Sequence, residues 1–303
     1  MTNLHRAFAL LAAMGLAGAP SANATTFTKV DFVCPIGGEE FEADVVVSNS
    51  TWGQRPDGKP YSHLPVYPVT ECPENGFLMF DEDFTAQELE TLEAAIATPD
   101  YLAMRETETQ HYRVWWLKSQ IDRDEISQLS SLLQASWETD DNYDRKVRYQ
   151  SQFANLALRA KRTEDNASLW FHYNLRAVNV LRELGYFEEG LRRLDFLMKS
   201  EFLPEAERER ASAKSFADEL KALLQQNNPF FEPANLVPEE VAMFRCAAPK
   251  SPLTQAEESA CASDTISEAI ADFTHKTQDG RKLKGEEAVQ AADREWRSEQ
   301  HAH

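Results

Sequence analysis

Four cysteines carry the most specific chemistry in the chain. Cys34-Pro35-Ile36-Gly37-Gly38 and Cys72-Pro73-Glu74-Asn75-Gly76 each have the outline of half a zinc ribbon, a turn in which two thiolates hold one metal. A tetrahedral structural zinc takes four sulfur or imidazole donors, and Gly37 and Asn75 stand where the second thiol of each turn would be. The remaining two thiols are left to bond to each other. Two thiolates sharing a zinc lie roughly 3.8 Å apart and a disulfide needs about 2.05 Å, so a small closure joins them. With Cys246 and Cys261 the count is even, which in an oxidising compartment reads as two disulfides. Of the possible pairings, Cys34 with Cys72 and Cys246 with Cys261 keeps each bond within one local region of the chain. The chain-entropy relation gives roughly 4 kcal/mol for a loop of about 39 residues and roughly 3 kcal/mol for one of about 16.

Other reactive constellations are missing from the sequence. There is no His-Glu-x-x-His pair, no Gly-x-Ser-x-Gly elbow and no glycine-rich phosphate loop. His63 could join Cys34 and Cys72 on a metal, although a loop histidine is more commonly solvated. His111 and His172 sit beside aromatics, where packing is commoner than base catalysis, and His301 and His303 read as a frayed tail. The acidic runs Asp81-Glu82-Asp83 and Asp140 to Asp144 lack the alternating ligands and glycine of a calcium loop and suit helix N-termini instead. Neither cysteine turn has the neighbouring resolving thiol of a dithiol oxidoreductase. No catalytic, cofactor or metal residue is assigned.

Compartment and charge narrow the partners. Arg6, the apolar run Ala7 to Ala19 and Ala22-Asn23-Ala24 form a signal-peptide pattern over residues 1–24, so the exported chain is expected to start near Thr25 and to be periplasmic or secreted, without a membrane anchor. The charge of −19 repels nucleic-acid phosphates and anionic lipid, leaving a basic partner or a cation as what charge would select. At 42% hydrophobic with six tryptophans, the chain can bury a sizeable core.

The elements that must position these residues change period at Thr85. Residues 25–84 read as a β-rich knuckle module: strands Phe27 to Val33 and Phe41 to Val47, an irregular proline-rich connection, then a second hairpin from Val66 to Thr70 and Phe77 to Phe80. Thr85 and Glu88 form a capping box, and helical spacing follows. Residues 85–235 are expected to be antiparallel helix pairs, with Pro204 opening a last charged helix to about Gln225. Residues 236–275 read as a helical cap stapled by Cys246 and Cys261, and residues 276–303 as a polar tail or a terminal helix with the stripe Val289, Ala292 and Trp296. The fold class is therefore α+β, mainly α.

From Leu175 to Leu197 the chain resembles the middle of a tetratricopeptide unit, with Gly185, Phe187 and Leu194 at matching places and Gly190 where a small residue is usual. Together with Cys34-Pro35, Gly38, Cys72-Pro73 and Gly76, the pattern resembles an uncharacterised bacterial family in which two Cys-Pro-x-Cys-Gly knuckles precede tetratricopeptide-like helices. That resemblance implies zinc only for members with all four knuckle cysteines, and it implies no activity. The expectation is an exported non-enzymatic protein that grips an envelope protein or peptide through the helical aromatics Tyr112, Trp115, Trp116, Trp170 and Tyr173. The rival is a hydrolase or metal-dependent enzyme, which a deep pocket with converging polar groups would favour.

Overall fold

The computed structural model describes residues 25–300. The signal pattern over residues 1–24 and the histidines at 301 and 303 lie outside them. Strands β1 (Thr26–Val33) and β2 (Glu40–Ser48) form an antiparallel hairpin in which Phe32 faces Phe41 and Val30 faces Ala43. Strands β3 (Thr51–Gln54) and β4 (Pro60–Ser62) make a second, shorter hairpin inside the stretch read as irregular. Its turn is the Asp57-Gly58 pair, a recognised hairpin signal, closed by Arg55 N–H to the Lys59 carbonyl at 2.8 Å. The hairpin expected over Val66 to Phe80 is reduced to a single bridge between Glu71 and Leu78. Pro65, Pro68 and Pro73 remove the donors that a longer ladder would use.

Eleven helices follow in one run of sequence: α1 (Ala86–Ile96), α2 (Pro99–Thr107), α3 (Gln110–Gln120), α4 (Glu125–Trp137), α5 (Tyr143–Arg159), α6 (Ala167–Glu183), α7 (Phe187–Leu197), α8 (Glu207–Gln225), α9 (Glu239–Ala247), α10 (Gln255–Cys261) and α11 (Asp264–Asp272). Strands β5 (Thr274–Lys276) and β6 (Lys282–Lys284) pair as a third hairpin before α12 (Glu286–Gln300). The mainly helical α+β class holds. Thr85 and Glu88 exchange both capping-box bonds at the start of α1. Pro204 lies in the turn before α8 rather than in its first residue, and its carbonyl accepts from Arg210 Nε at 2.9 Å.

From α3 to α8 each helix packs on the next around Leu129, Leu132, Phe153, Phe171, Val178 and Leu220. A Cβ on Gly190 would lie 2.6 Å from Leu224 Cδ2, so the small residue in α7 is what lets α8 approach. Cys34 and Cys72 are bonded to each other, with Cα atoms 5.8 Å apart, and Cys246 is bonded to Cys261. The first bond is buried with Phe77, Leu78, Leu92, Tyr101 and Leu117, so the core of the knuckle module is completed by α1 to α3. In the cap, Val289 of α12 is fully buried against Met243 and Ala247 of α9. The Val289 end of the terminal apolar stripe therefore docks on the chain's own body, whereas Trp296 at its other end is exposed.

Candidate functional site

The Arg55-Pro56-Asp57-Gly58-Lys59 turn places three charges where the hairpin β3–β4 meets the helices. Gly58 has φ +88°, and a Cβ there would lie 1.8 Å from Arg176 Nη1, so only glycine admits both the turn and the guanidinium of α6 above it. Arg55 donates to Asp57 through Nε at 3.1 Å and Nη2 at 2.6 Å, and to Asp140 through Nη1 at 2.7 Å. Asp140, between α4 and α5, also accepts from Lys59 Nζ at 2.6 Å and Lys146 Nζ at 2.5 Å. Burial opposes charge on Arg55, Asp57 and Asp140, but the opposite charges outweigh it: Asp57 and Asp140 are held below the ordinary carboxylate range and Arg55 above its own.

A second set of buried groups extends this network to the cap. Glu183, at the end of α6, accepts from Gln150 Nε2 at 2.6 Å and Asn179 Nδ2 at 2.8 Å. Burial, reinforced by the charge of Asp57, pushes its carboxyl above the ordinary glutamate value. Arg182 donates through Nη1 to the carbonyls of Asn228 and Phe230, both at 2.7 Å, fixing the segment after α8. Arg245 of α9 pairs with Glu257 at 2.7 Å and stands 4.3 Å over the Phe230 ring. On the other side of that segment Arg55 and Lys146 stand over Phe231 at 5.6 and 5.4 Å. Gly53 of β3 lies against Pro238, whose Cγ would be 2.2 Å from a Cβ, so the hairpin also abuts the start of α9.

These elements enclose a cavity of about 1090 Å³, with the charge network at its buried end and Trp52, Tyr61, Tyr143, Phe231, Phe244 and Trp296 among its walls. Tyr61 donates to Glu232 at 2.9 Å. The cavity's volume is just above the range of about 300–1,000 Å³ common for small-ligand pockets. Ser62, the serine in the lining, is engaged by Asn49, and no histidine is among the lining residues.

The five aromatics expected to form a partner groove pack against the helical and knuckle cores. Tyr112 and Trp170 are buried, the first stacked on Tyr149 at 4.4 Å and the second donating Nε1 to the Ala160 carbonyl at 2.8 Å. Trp115 and Tyr173 are half-buried on the same core, and Trp116 packs beside Tyr101 in the knuckle core. None of the five lines the cavity. The cause is geometric, since aromatics at helical spacing fill the seams between paired helices. His63 lies against Trp52, with ring centroids 5.4 Å apart, and the described residues hold no group of three or more His, Cys, Asp or Glu fit for a metal. In place of a knuckle ligand, Asn75 donates to the Ile36 carbonyl at 2.7 Å and accepts from Phe77 N–H at 2.9 Å.

No family model, curated protein or solved structure matches the chain. The cavity residues come from six separate elements, and the sequence signals that point to them are two: the Asp-Gly turn and the proline-flanked pair Phe230-Phe231.

Proposed function

We propose that the protein is an exported, non-enzymatic binding module that takes a peptide segment into the cavity between the β3–β4 hairpin, the helical array and the cap. One observation carries the reading: Trp52, Tyr143, Phe231 and Trp296 are 38, 79, 37 and 53% exposed and all stand on this one cavity. Exposed aromatics scattered singly need no partner, whereas a group of them around a concave site with fixed polar groups matches how peptide side chains are received. Export is supported by the signal pattern and by two disulfides.

Equilibrium dialysis of a randomised pool of N-acetyl tripeptides against the purified protein tests the reading. Retention is expected for the wild type and is expected to fall about tenfold in a variant combining Trp52→Ala, Tyr143→Ala and Trp296→Ala. Equal retention by the variant, or none by the wild type, would refute it. A second reading, hydrolysis, is favoured by one specific feature: Glu183 and Asp140 line the same cavity with their acidities pushed in opposite directions, the pattern of an acid and base pair. Both carboxyls are engaged, Glu183 by two amides and Asp140 by three cations, so binding accounts for more of the geometry. Cleavage products in the dialysed pool, abolished by Glu183→Gln, would reverse that preference.

A further inference from the structure

The chain carries a net charge of −19, yet the buried end of the cavity is locally positive. Arg55, Lys59 and Lys146 converge there on Asp57 and Asp140, three cations on two carboxylates, while the nearby Glu183 carboxyl is held by Gln150 and Asn179. Asp140 spreads its two oxygens over all three and is still 37% exposed on the side chain, so the cluster is open toward the cavity. Behind it Arg176 is packed over Gly58 with Asp57 as its main counter-charge, a carboxylate already held by Arg55. Lys146 gives one ammonium proton to Asp140, and Lys59 gives its protons to Asp140 and the Trp137 carbonyl. An ammonium has three donors, so both lysines keep at least one for a further acceptor.

We infer that this cluster is a carboxylate subsite, and that the peptide taken by the cavity is held by its free C-terminal carboxylate. The inference rests on the peptide-binding reading and adds what the bound segment must carry. The unused ammonium donors suit one further carboxylate, and Asp140 already shows the acceptor geometry the lysines favour. Phe231, over which both Arg55 and Lys146 stand, places an aromatic surface beside the subsite for the last side chain. The cap side of the cavity has Glu232 and Glu240 in its lining beside Arg245 and Lys250. Glu257 already neutralises Arg245, which leaves Lys250 facing Glu232 and Glu240, so an anion is favoured less there than at the lysine end.

The test compares two randomised N-acetyl tripeptide pools, identical except that one has free C-terminal acids and the other C-terminal amides, by equilibrium dialysis with mass detection. The wild type is expected to retain the acids about tenfold more than the amides, with the difference shrinking at high salt, because the contact is charge-assisted. Lys146→Gln and Lys59→Gln are expected to remove that preference, and Lys146→Arg to keep it. Acids and amides retained equally would overturn the carboxylate subsite and leave peptide binding standing. Retention of neither would overturn both. An amide pool enriched on the protein in Asp or Glu would show that the subsite takes a side-chain carboxylate, and would overturn the terminal assignment. The comparison of pools on the wild type needs no substitution, so a variant that fails to fold leaves the inference testable.

Discussion

Two effects act in the same direction on the carboxyl of Glu183. Removal from water disfavours its anion, and so does the charge of Asp57, while Arg182 at 3.6 Å opposes them. The folded protein therefore holds this proton at a pH where the unfolded chain, with an ordinary value of about 4.3, has released it. The resulting stabilisation is fully present below the unfolded pKa and is lost as pH rises through the raised folded value. Asp57 and Asp140 have the reverse sign, stabilising above an unfolded value of about 3.9 and ceasing to do so as pH falls through their depressed values. Glu183→Gln keeps the shape and removes only the first contribution. Its thermal midpoint is expected to exceed the wild type's by a few degrees at about pH 8 and to converge with it toward about pH 4, as followed by calorimetry. A variant equally destabilised at both pH values would mean that Arg182 requires the anion, and would contradict this account.

Among the elements, the knuckle turns show how a disulfide and an amide divide the work of a metal site. The Cys34–Cys72 bond joins turns 38 residues apart, and Asn75 ties the second turn to the first through Ile36. Because the same core includes Leu92, Tyr101 and Leu117, loosening the turns also removes support from α1 to α3. The double variant Cys34→Ser, Cys72→Ser is expected to cost about 2–5 kcal/mol in urea unfolding, and more than Cys246→Ser, Cys261→Ser, whose loop spans 15 residues. A reversed order would show that loop entropy does not govern these bonds. Both pairings could be read from the sequence because each pair stands in its own compositional region, and the long helices could be read because Leu129, Leu132 and Leu133 or Val180, Leu181 and Leu184 recur at helical spacing. The hairpins β3–β4 and β5–β6 could not, since strands of three or four residues carry too few alternations to be distinguished from loops. The cavity was illegible for a different reason. Arg55, Asp140, Lys146 and Glu183 are each ordinary solvated charges until tertiary structure buries them together, and the exposed aromatics that mark the site lie at isolated positions rather than on one helix face.

At the scale of the whole molecule, the same charges that shape the cavity fasten its three walls to one another. Arg55 binds the hairpin to Asp140 between α4 and α5, Tyr61 binds it to Glu232, and Arg182 and the Arg245–Glu257 pair hold the intervening segment and the cap. The Arg55–Asp57 pair is 4 and 2% exposed on its side chains, so removing one partner leaves a buried charge with too little compensation. Asp57→Ala is expected to lose about 3–5 kcal/mol of unfolding free energy in urea, whereas a surface pair would lose about 0–1. Replacing both partners with apolar residues, Arg55→Met with Asp57→Leu, is expected to recover part of that loss, because Arg55 no longer stands without Asp57, and only part, because Arg176 still loses its main counter-charge. The loss has a local signature as well. With Asp57 gone, Arg55 retains Asp140 alone, the Lys59 N–H loses its 3.0 Å acceptor, and the turn that Gly58 threads beneath Arg176 is held by its backbone bonds only. Limited proteolysis of Asp57→Ala should therefore cut first between residues 51 and 62, before any helix of the array opens. First cuts within α5 or α6 would show that the network supports the helices themselves, and that the hairpin is carried by its packing on Pro238 instead.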